Sequence, residues 1–339
     1  MLTVENLSIK FDNKTILSDV NFTLKTGEIA CLLGASGCGK TTILRCLSGF
    51  EKPSTGVISL NDHTLFNNNT NIAAHQRQIG MVFQDYSLFP HLTVAQNVGF
   101  GLSHLDKSKK NARIDELLTL VNLNAYKHRY PHELSGGQQQ RVALVRALAP
   151  KPKLILLDEP FSNLDVELRT NLSKEVRKLL KSQNVSAILV THEQSEAFAM
   201  ADVIGVMADG IIQQWADPEV LYHRPTNAQV ASFVGEGVLY DILKVHPNGM
   251  ECSFGFIPLL PNNSLDTQML IRPHDVIQTN NQGIAVSIID RDFRGGDWLY
   301  TLQNNQGDTL FMQTSMTKDR PAHKIGDTIE VAIHQVATF

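Results

Sequence analysis

The sequence predicts an α/β chain, a largely parallel sheet covered on both faces by helices, followed by a small all-β barrel-like unit. Three observations carry that prediction. A glycine-rich turn, Gly34 to Thr42, joins a short apolar strand to a helix. Apolar runs of strand length then alternate with helical patterns as far as Gln214. Near Gly235-Glu-Gly237 the texture changes to short β-like runs separated by Gly, Asn, Asp and Pro.

Taken in order, Leu2–Ile9 and Ile16–Leu24 alternate as antiparallel strands about a turn at Asp12-Asn13, and Thr26-Gly27 turns into the buried strand Glu28–Leu33. Thr42–Leu47 opens a helix, Pro53–Gly56 is a turn, and Val57–Leu60 and Ile79–Phe83 are strands on either side of the polar loop tip Asn67–Asn71. Thr93 to Leu123 reads as helical, with apolar residues at i, i+3, i+4 and i+7 from Arg113. Residues 138–149 form a helix stopped by Pro150 and Pro152. Leu154–Leu157 and Ser186–Val190 are buried strands, Val166–Lys181 and Glu193–Ala201 are helices, and Ala208-Asp-Gly210 joins strands Val203–Met207 and Ile211–Gln214. Strands are expected at Val238–Val245, Met269–Arg272, Ile284–Asp290, Trp298–Gln303, Thr309–Met312 and Thr328–Ile333, which sets the domain boundary at 235/236.

The length of 339 residues suits two domains, and 42% hydrophobic with 19% charged residues is ordinary for a globular protein. A net charge of -4 argues against a general affinity for nucleic acid. Of Cys31, Cys38, Cys46 and Cys252, the first three lie on or beside the glycine-rich turn, where cross-links would obstruct it, so reduced thiols in a cytosolic protein are expected. The N-terminus lacks a signal segment, and no run approaches the ~18 apolar residues of a membrane span. A membrane role must come through a partner.

Gly34, Ala35, Ser36, Gly37, Cys38, Gly39, Lys40, Thr41 and Thr42 fit the pattern in which glycines let backbone N–H groups close around phosphate oxygens at a helix N-terminus. Lys40 would reach the β- and γ-phosphates and the Thr41 hydroxyl would ligate Mg²⁺, so a nucleoside triphosphate is the expected ligand. Asp158 and Glu159 follow the strand Leu154–Leu157, where ligands gather at carboxyl ends; Asp158 would hold Mg²⁺ through water and Glu159 would act as general base. His192 follows Ser186–Val190 and is placed to sense the γ-phosphate, and Gln84 follows Ile79–Phe83, placed to reach the metal or the attacking water. Leu134-Ser-Gly-Gly-Gln138 makes a second helix N-terminus, with Ser135, Gly136, Gly137 and Gln138 offering a second anion site.

Together, Gly34–Thr42, Gln84, Leu134–Gln138, Leu154–Glu159, Ser162-Asn-Leu-Asp165 and His192 resemble, in this order, the nucleotide-binding subunits of ABC transporters. The resemblance covers residues 1 to about 235 and implies an ABC-type P-loop NTPase domain with an antiparallel β subdomain and a helical subdomain, followed by an OB- or TOBE-like barrel. It implies a head-to-tail homodimer holding two ATP with Mg²⁺, each capped by the partner's 135–138 segment, with Asp165 in a loop that crosses the interface. It also implies that Phe11 stacks on adenine, although by sequence alone Phe11 is equally a core residue. Asn163 departs from the Ala usual in that family.

Gln84–Val94 and Tyr130–Arg141 look like importer subunits that serve an integral membrane permease and a periplasmic substrate-binding protein from the cytoplasmic face of the inner membrane. Gly34–Lys40 with Leu44–Phe50, Gly235–Gly237 and Ile271–His274 look most like ferric-iron importers, while spermidine, sugar and sulfate importers share much of the pattern. A soluble ABC ATPase acting on DNA or ribosomes would carry two nucleotide domains, a coiled coil or a basic arm, none of which is seen here. A non-hydrolysing module would be expected to lack Glu159 or His192. The β-rich tail either binds a small regulator or braces the dimer.

Overall fold

A computed structural model describes residues 1–339 except 13, 264, 281–282, 317–321 and 335, so the Asn13 half of the expected first turn lies outside the described residues. The chain divides into two compact units, Met1–Pro218 and Glu219–Phe339.

The first unit opens with β1 (Leu2–Phe11) and β2 (Lys14–Leu24), then β3 (Ile29–Gly34) and α1 (Lys40–Ser48). There follow β4 (Thr55–Leu60), β5 (His63–Phe66), β6 (Ile79–Val82), α2 (Val94–Val98), α3 (Lys107–Leu120) and α4 (Gly136–Leu148). It closes with β7 (Leu154–Asp158), α5 (Val166–Ser182), β8 (Ser186–Thr191), α6 (Gln194–Met200), β9 (Val203–Ala208) and β10 (Ile211–Ala216). Two sheets result. The antiparallel sheet runs β2-β1-β4-β5 and the second runs β10-β9-β3-β8-β7-β6, parallel except for the β9–β10 hairpin.

Strands β3 and β8 are buried at every position, which explains their unbroken apolar runs: both faces of a central parallel strand are covered. Ala30, Leu32, Leu154, Leu156, Ile188 and Val190 share one core with Leu2, Leu7, Ile9 and Leu17 of the antiparallel sheet and with Ile43, Leu44 and Leu47 of α1. Helix α1 is thus packed against both sheets. Each of those leucines, removed from water, contributes about 1.5–3 kcal/mol before entropy is counted. The cost of unseating α1 is correspondingly high.

Two departures from the sequence expectation have local causes. The stretch Thr93–Leu123 is not one helix: α2 ends at Gly99, and Asp106 starts α3 by accepting a hydrogen bond from the Lys109 N–H at 2.9 Å. Strand β5 was not expected. It pairs with β4 through a two-residue turn, Asn61-Asp62, with φ of 48° and 63°, the backbone of a type I′ hairpin. The expected hairpin at Asp209-Gly210 has the same form, with φ of 51° and 77°.

The second unit begins with α7 (Pro218–His223) and α8 (Ala228–Phe233), then β11 (Val238–Asp241), β12 (Lys244–His246), β13 (Gly249–Cys252), β14 (Gly255–Ile257) and β15 (Gln268–Ile271). It continues with β16 (Val276–Thr279), β17 (Ile284–Phe293), β18 (Asp297–Gln303), β19 (Thr309–Ser315), β20 (Thr328–Ile333) and β21 (Ala337–Thr338). Three antiparallel sheets, β11-β15-β21, β12-β13-β14 and β16-β20-β17-β18-β19, surround one core that includes Met250, Met269, Val286, Tyr300, Leu310 and Val331. The two compact units part between Pro218 and Glu219, whereas the sequence texture changes at 235/236. Buried Arg272 accounts for this by donating to the Tyr222 and Glu236 carbonyls at 2.9 and 3.2 Å and stacking on the Tyr222 ring. No described helix is long and apolar enough to cross a membrane.

Candidate functional site: the carboxyl ends of four adjacent strands

The neighbours β3, β8, β7 and β6 lie side by side, and each ends at or within two residues of one singled out by the sequence. From β3 the chain turns through residues 35–39 into α1. Gly37 and Gly39 take φ of 83° and 107°. At Gly39 a Cβ would also lie 2.6 Å from Leu17 Cδ2, so glycine is required there for both conformation and space. No side chain caps the N-terminus of α1, and its first N–H groups are left to an outside acceptor. Lys40 is 5% exposed, and its ammonium donates to the Gly34 and Ala35 carbonyls at 2.7 and 2.9 Å, with Cys38 Sγ 3.8 Å away. The cation is folded back onto its own turn.

Thr41 sits one residue into α1 and donates from Oγ1 to Asp158 Oδ1 at 3.0 Å, which joins the turn to the end of β7. Burial pushes the Asp158 carboxyl above its usual range, with the Thr41 hydrogen bond working in the other direction. Glu159, next along, is held at φ 42° while its N–H donates to the Val190 carbonyl of β8 at 3.0 Å. That left-handed backbone is strained for a glutamate. Its side chain lies between two groups from the flanking strands: Gln84 Nε2 after β6 is 3.4 Å from Oε2, and His192 Nδ1 after β8 is 3.4 Å from Oε1. The expected trio of Gln84, Glu159 and His192 is therefore brought together.

The second helix N-terminus is built differently. Ser135 caps α4, accepting from the Gln138 N–H at 3.4 Å, and Gln138 Oε1 accepts in return from the Ser135 N–H at 3.0 Å. Gly136 and Gly137 lie beside Leu164 and Leu168, where a Cβ would reach ordinary contact at 3.5 Å. Asp165 caps α5, accepting from the Leu168 N–H at 2.9 Å. Phe11 ends β1 and is 44% exposed, so it is not a core residue.

Several polar residues that sequence reasoning passed over also belong to this cluster. Ser162 Oγ lies 3.5 Å from Gln84 Nε2 and donates to the Glu159 carbonyl at 3.0 Å. Asn163 donates from Nδ2 to the Gln84 carbonyl at 3.1 Å. The departure from Ala at 163 was the available signal, since an amide there can bridge to a neighbouring loop and a methyl cannot. Arg169, Glu193 and Glu196 extend the cluster behind His192.

A family model described as ABC transporter matches residues 17–162. The Fe(3+) ions import ATP-binding protein FbpC 2 of Pectobacterium atrosepticum is 40% identical over 346 residues, covering 99% of each chain. The spermidine/putrescine import ATP-binding protein PotA of Marinobacter nauticus is 35% identical, covering 98% of this chain and 92% of the relative. Among solved structures, an ATP-binding cassette described as a dimer in a post-hydrolysis state bound to ADP and Pi superposes with a TM-score of 0.56 at 29% identity, over 64% of this chain and 98% of the other. Full-length identity of that degree, on a chain whose strand ends carry the motifs in register, makes this protein a member of the ABC transporter ATP-binding family.

Proposed function

We propose that this chain is the ATP-hydrolysing subunit of an importer of ferric iron. The observation that carries the reading is the convergence of Thr41–Asp158, Glu159, Gln84 and His192 beside an uncapped helix N-terminus. ATP phosphates take the N–H groups of residues 35–42, and Lys40 exchanges its two carbonyl partners for phosphate oxygens. Mg²⁺ suits the site, because the Thr41 hydroxyl, the half-buried Asp158 carboxylate and the Gln84 amide oxygen are hard oxygen donors. When bound, Mg²⁺ neutralises charge developing on the phosphates. Glu159 takes the proton of the attacking water, and His192 orients Glu159 and the γ-phosphate. Phe11, exposed at the end of β1, stacks on adenine.

Ser135, Gly136, Gly137 and Gln138, together with Asp165, act across a head-to-tail homodimer on the partner's nucleotide. Their own hydrogen bonds within the chain are local caps. The subunit works peripherally on the cytoplasmic face of the inner membrane, against a permease fed by a periplasmic binding protein. Residues 236–339 regulate or brace the pair.

The choice of ferric iron rests on the full-length likeness to the iron-importer protein. Likeness to the spermidine/putrescine protein supports a second reading with the same ATPase chemistry and a polyamine solute. Deleting the subunit and measuring radiolabelled uptake separates them. Loss of Fe³⁺ uptake with spermidine uptake unchanged is expected; the reverse pattern would overturn the solute and leave the ATPase.

A further inference from the structure

Arg169 stands in the first turns of α5, just beyond the cap Asp165. Its side chain is 18% exposed and reaches two loops at once. Nη2 donates to the Leu164 carbonyl at 3.1 Å, Nη1 lies 3.3 Å from Glu193 Oε1, and Nε lies 3.6 Å from Glu196 Oε1. Glu193 Oε1 is in turn 3.7 Å from His192 Nε2, whose Nδ1 is 3.4 Å from Glu159. Both acids are fixed to the end of β8: the Glu193 N–H donates to Thr191 Oγ1 at 3.0 Å, and the Glu196 carboxyl is hydrogen-bonded to the Thr191 side chain.

These contacts close on themselves. Leu164 connects through Arg169 and Glu193 to His192 and Glu159. Gln84 then leads from Glu159 back to Asn163, the neighbour of Leu164. Within the ring Arg169 is the cation that offsets Glu193 and the 3%-exposed Glu196. The guanidinium donates to the Leu164 carbonyl and faces Glu193, while its Nε lies within ion-pair distance of Glu196 without a hydrogen bond to it.

We propose that Arg169 is a positioning residue for ATP turnover, holding His192 against Glu159 by tying the 162–165 loop to Glu193. This rests on the roles given above to Glu159 and His192.

The test is Mg-ATP turnover, mant-ATP titration and thermal melting of the full chain as wild type, Arg169→Met, Arg169→Lys, Glu193→Gln, the Arg169→Met/Glu193→Gln double and Glu159→Gln. Arg169→Met should lower kcat about tenfold or more, since misplacement by about 1 Å can cost ~100-fold. KM and mant-ATP affinity should stay within about twofold, as for an interaction needed for turnover rather than binding. Arg169→Lys should recover part of kcat, and the double variant should be no slower than Arg169→Met, because both remove one link. Wild-type kcat in Arg169→Met, parallel loss of affinity and turnover, or additive losses in the double would overturn the proposal. If Arg169→Met fails to fold, Glu193→Gln decides, its side chain being 41% exposed. A lowered kcat at unchanged melting temperature supports the link and a wild-type kcat refutes it. Wild-type turnover in Glu159→Gln would strike the underlying assignment of the base, a result distinct from failure at Arg169.

Discussion

Helices α1 and α4 begin with the same physical resource, a turn of free N–H groups at the positive end of a dipole, and use it in opposite ways. At α1 the residue before the helix is Gly39 in a left-handed conformation with no side chain to offer, so the donors stay open. At α4 Ser135 and Gln138 satisfy each other in a capping box. An open end is completed by an anion. A closed end is stable without a ligand. The same unit thus carries one terminus that needs a ligand and one that does not, which is what a site assembled from two copies would require.

Breaking the open end should have the largest effect. Lys40→Met removes two charge-assisted hydrogen bonds to phosphate, each worth about 1.5–3 kcal/mol, so mant-ATP affinity should fall about 100-fold or more. An affinity within a few-fold of wild type would mean that Lys40 stays with its own loop carbonyls when nucleotide is bound.

The closed end can be probed while its cap is kept. Asn caps about as well as Ser, so Ser135→Asn should melt within about 1 °C of wild type, while Ser135→Ala should lose about 1 kcal/mol and ~2–4 °C. Both should reduce ATP-dependent dimer formation and turnover. Full turnover in Ser135→Asn would reduce Ser135 to a cap.

A milder contrast lies in the thiols. Burial pushes Cys46 up to about 12 and raises Cys31 and Cys252 as well, which leaves them inert. Cys38 is half-buried in the open turn beside Lys40. Maleimide should label Cys38 first, and Mg-ATP at about ten times its Kd should slow labelling about tenfold. Equal rates with and without nucleotide would place the ligand elsewhere.

The smallest effect is a pH dependence. Burial raises Asp158 in the folded chain, so the folded state binds this proton more tightly than the unfolded state does. Its contribution favours folding below the unfolded pKa and is lost as pH rises through the folded value. In nucleotide-free protein, the melting temperature of Asp158→Asn relative to wild type should therefore climb between about pH 4 and pH 7. A flat or falling difference would mean that the apo site stabilises the anion.

Much of the nucleotide end was legible because its constraints are local. A glycine turn between strand and helix, acids at a strand exit and Asp209-Gly210 between two apolar runs each state their geometry within a few residues. Asn61-Asp62 carries the same hairpin chemistry and was passed over, because β5 is only four residues long with one end polar. The division at Pro218/Glu219 was illegible for a different reason. It depends on Arg272 reaching back along the sequence to Tyr222 and Glu236, a tertiary choice with no periodicity of its own. The links made by Asn163 and Arg169 are equally non-local.

The backbone at Glu159 has a bearing on selection. A left-handed φ of 42° suits Gly or Asn better than Glu, so either substitution would relieve strain of about 1 kcal/mol at the expense of the carboxylate proposed above as proton acceptor. A library of this protein enriched only for heat resistance should shed Glu159 among its early changes, and with Glu159 as the proposed base the survivors should be hardier and inert. Improving this ATPase requires screening for turnover alongside stability, because at this one position the two demands point to different amino acids.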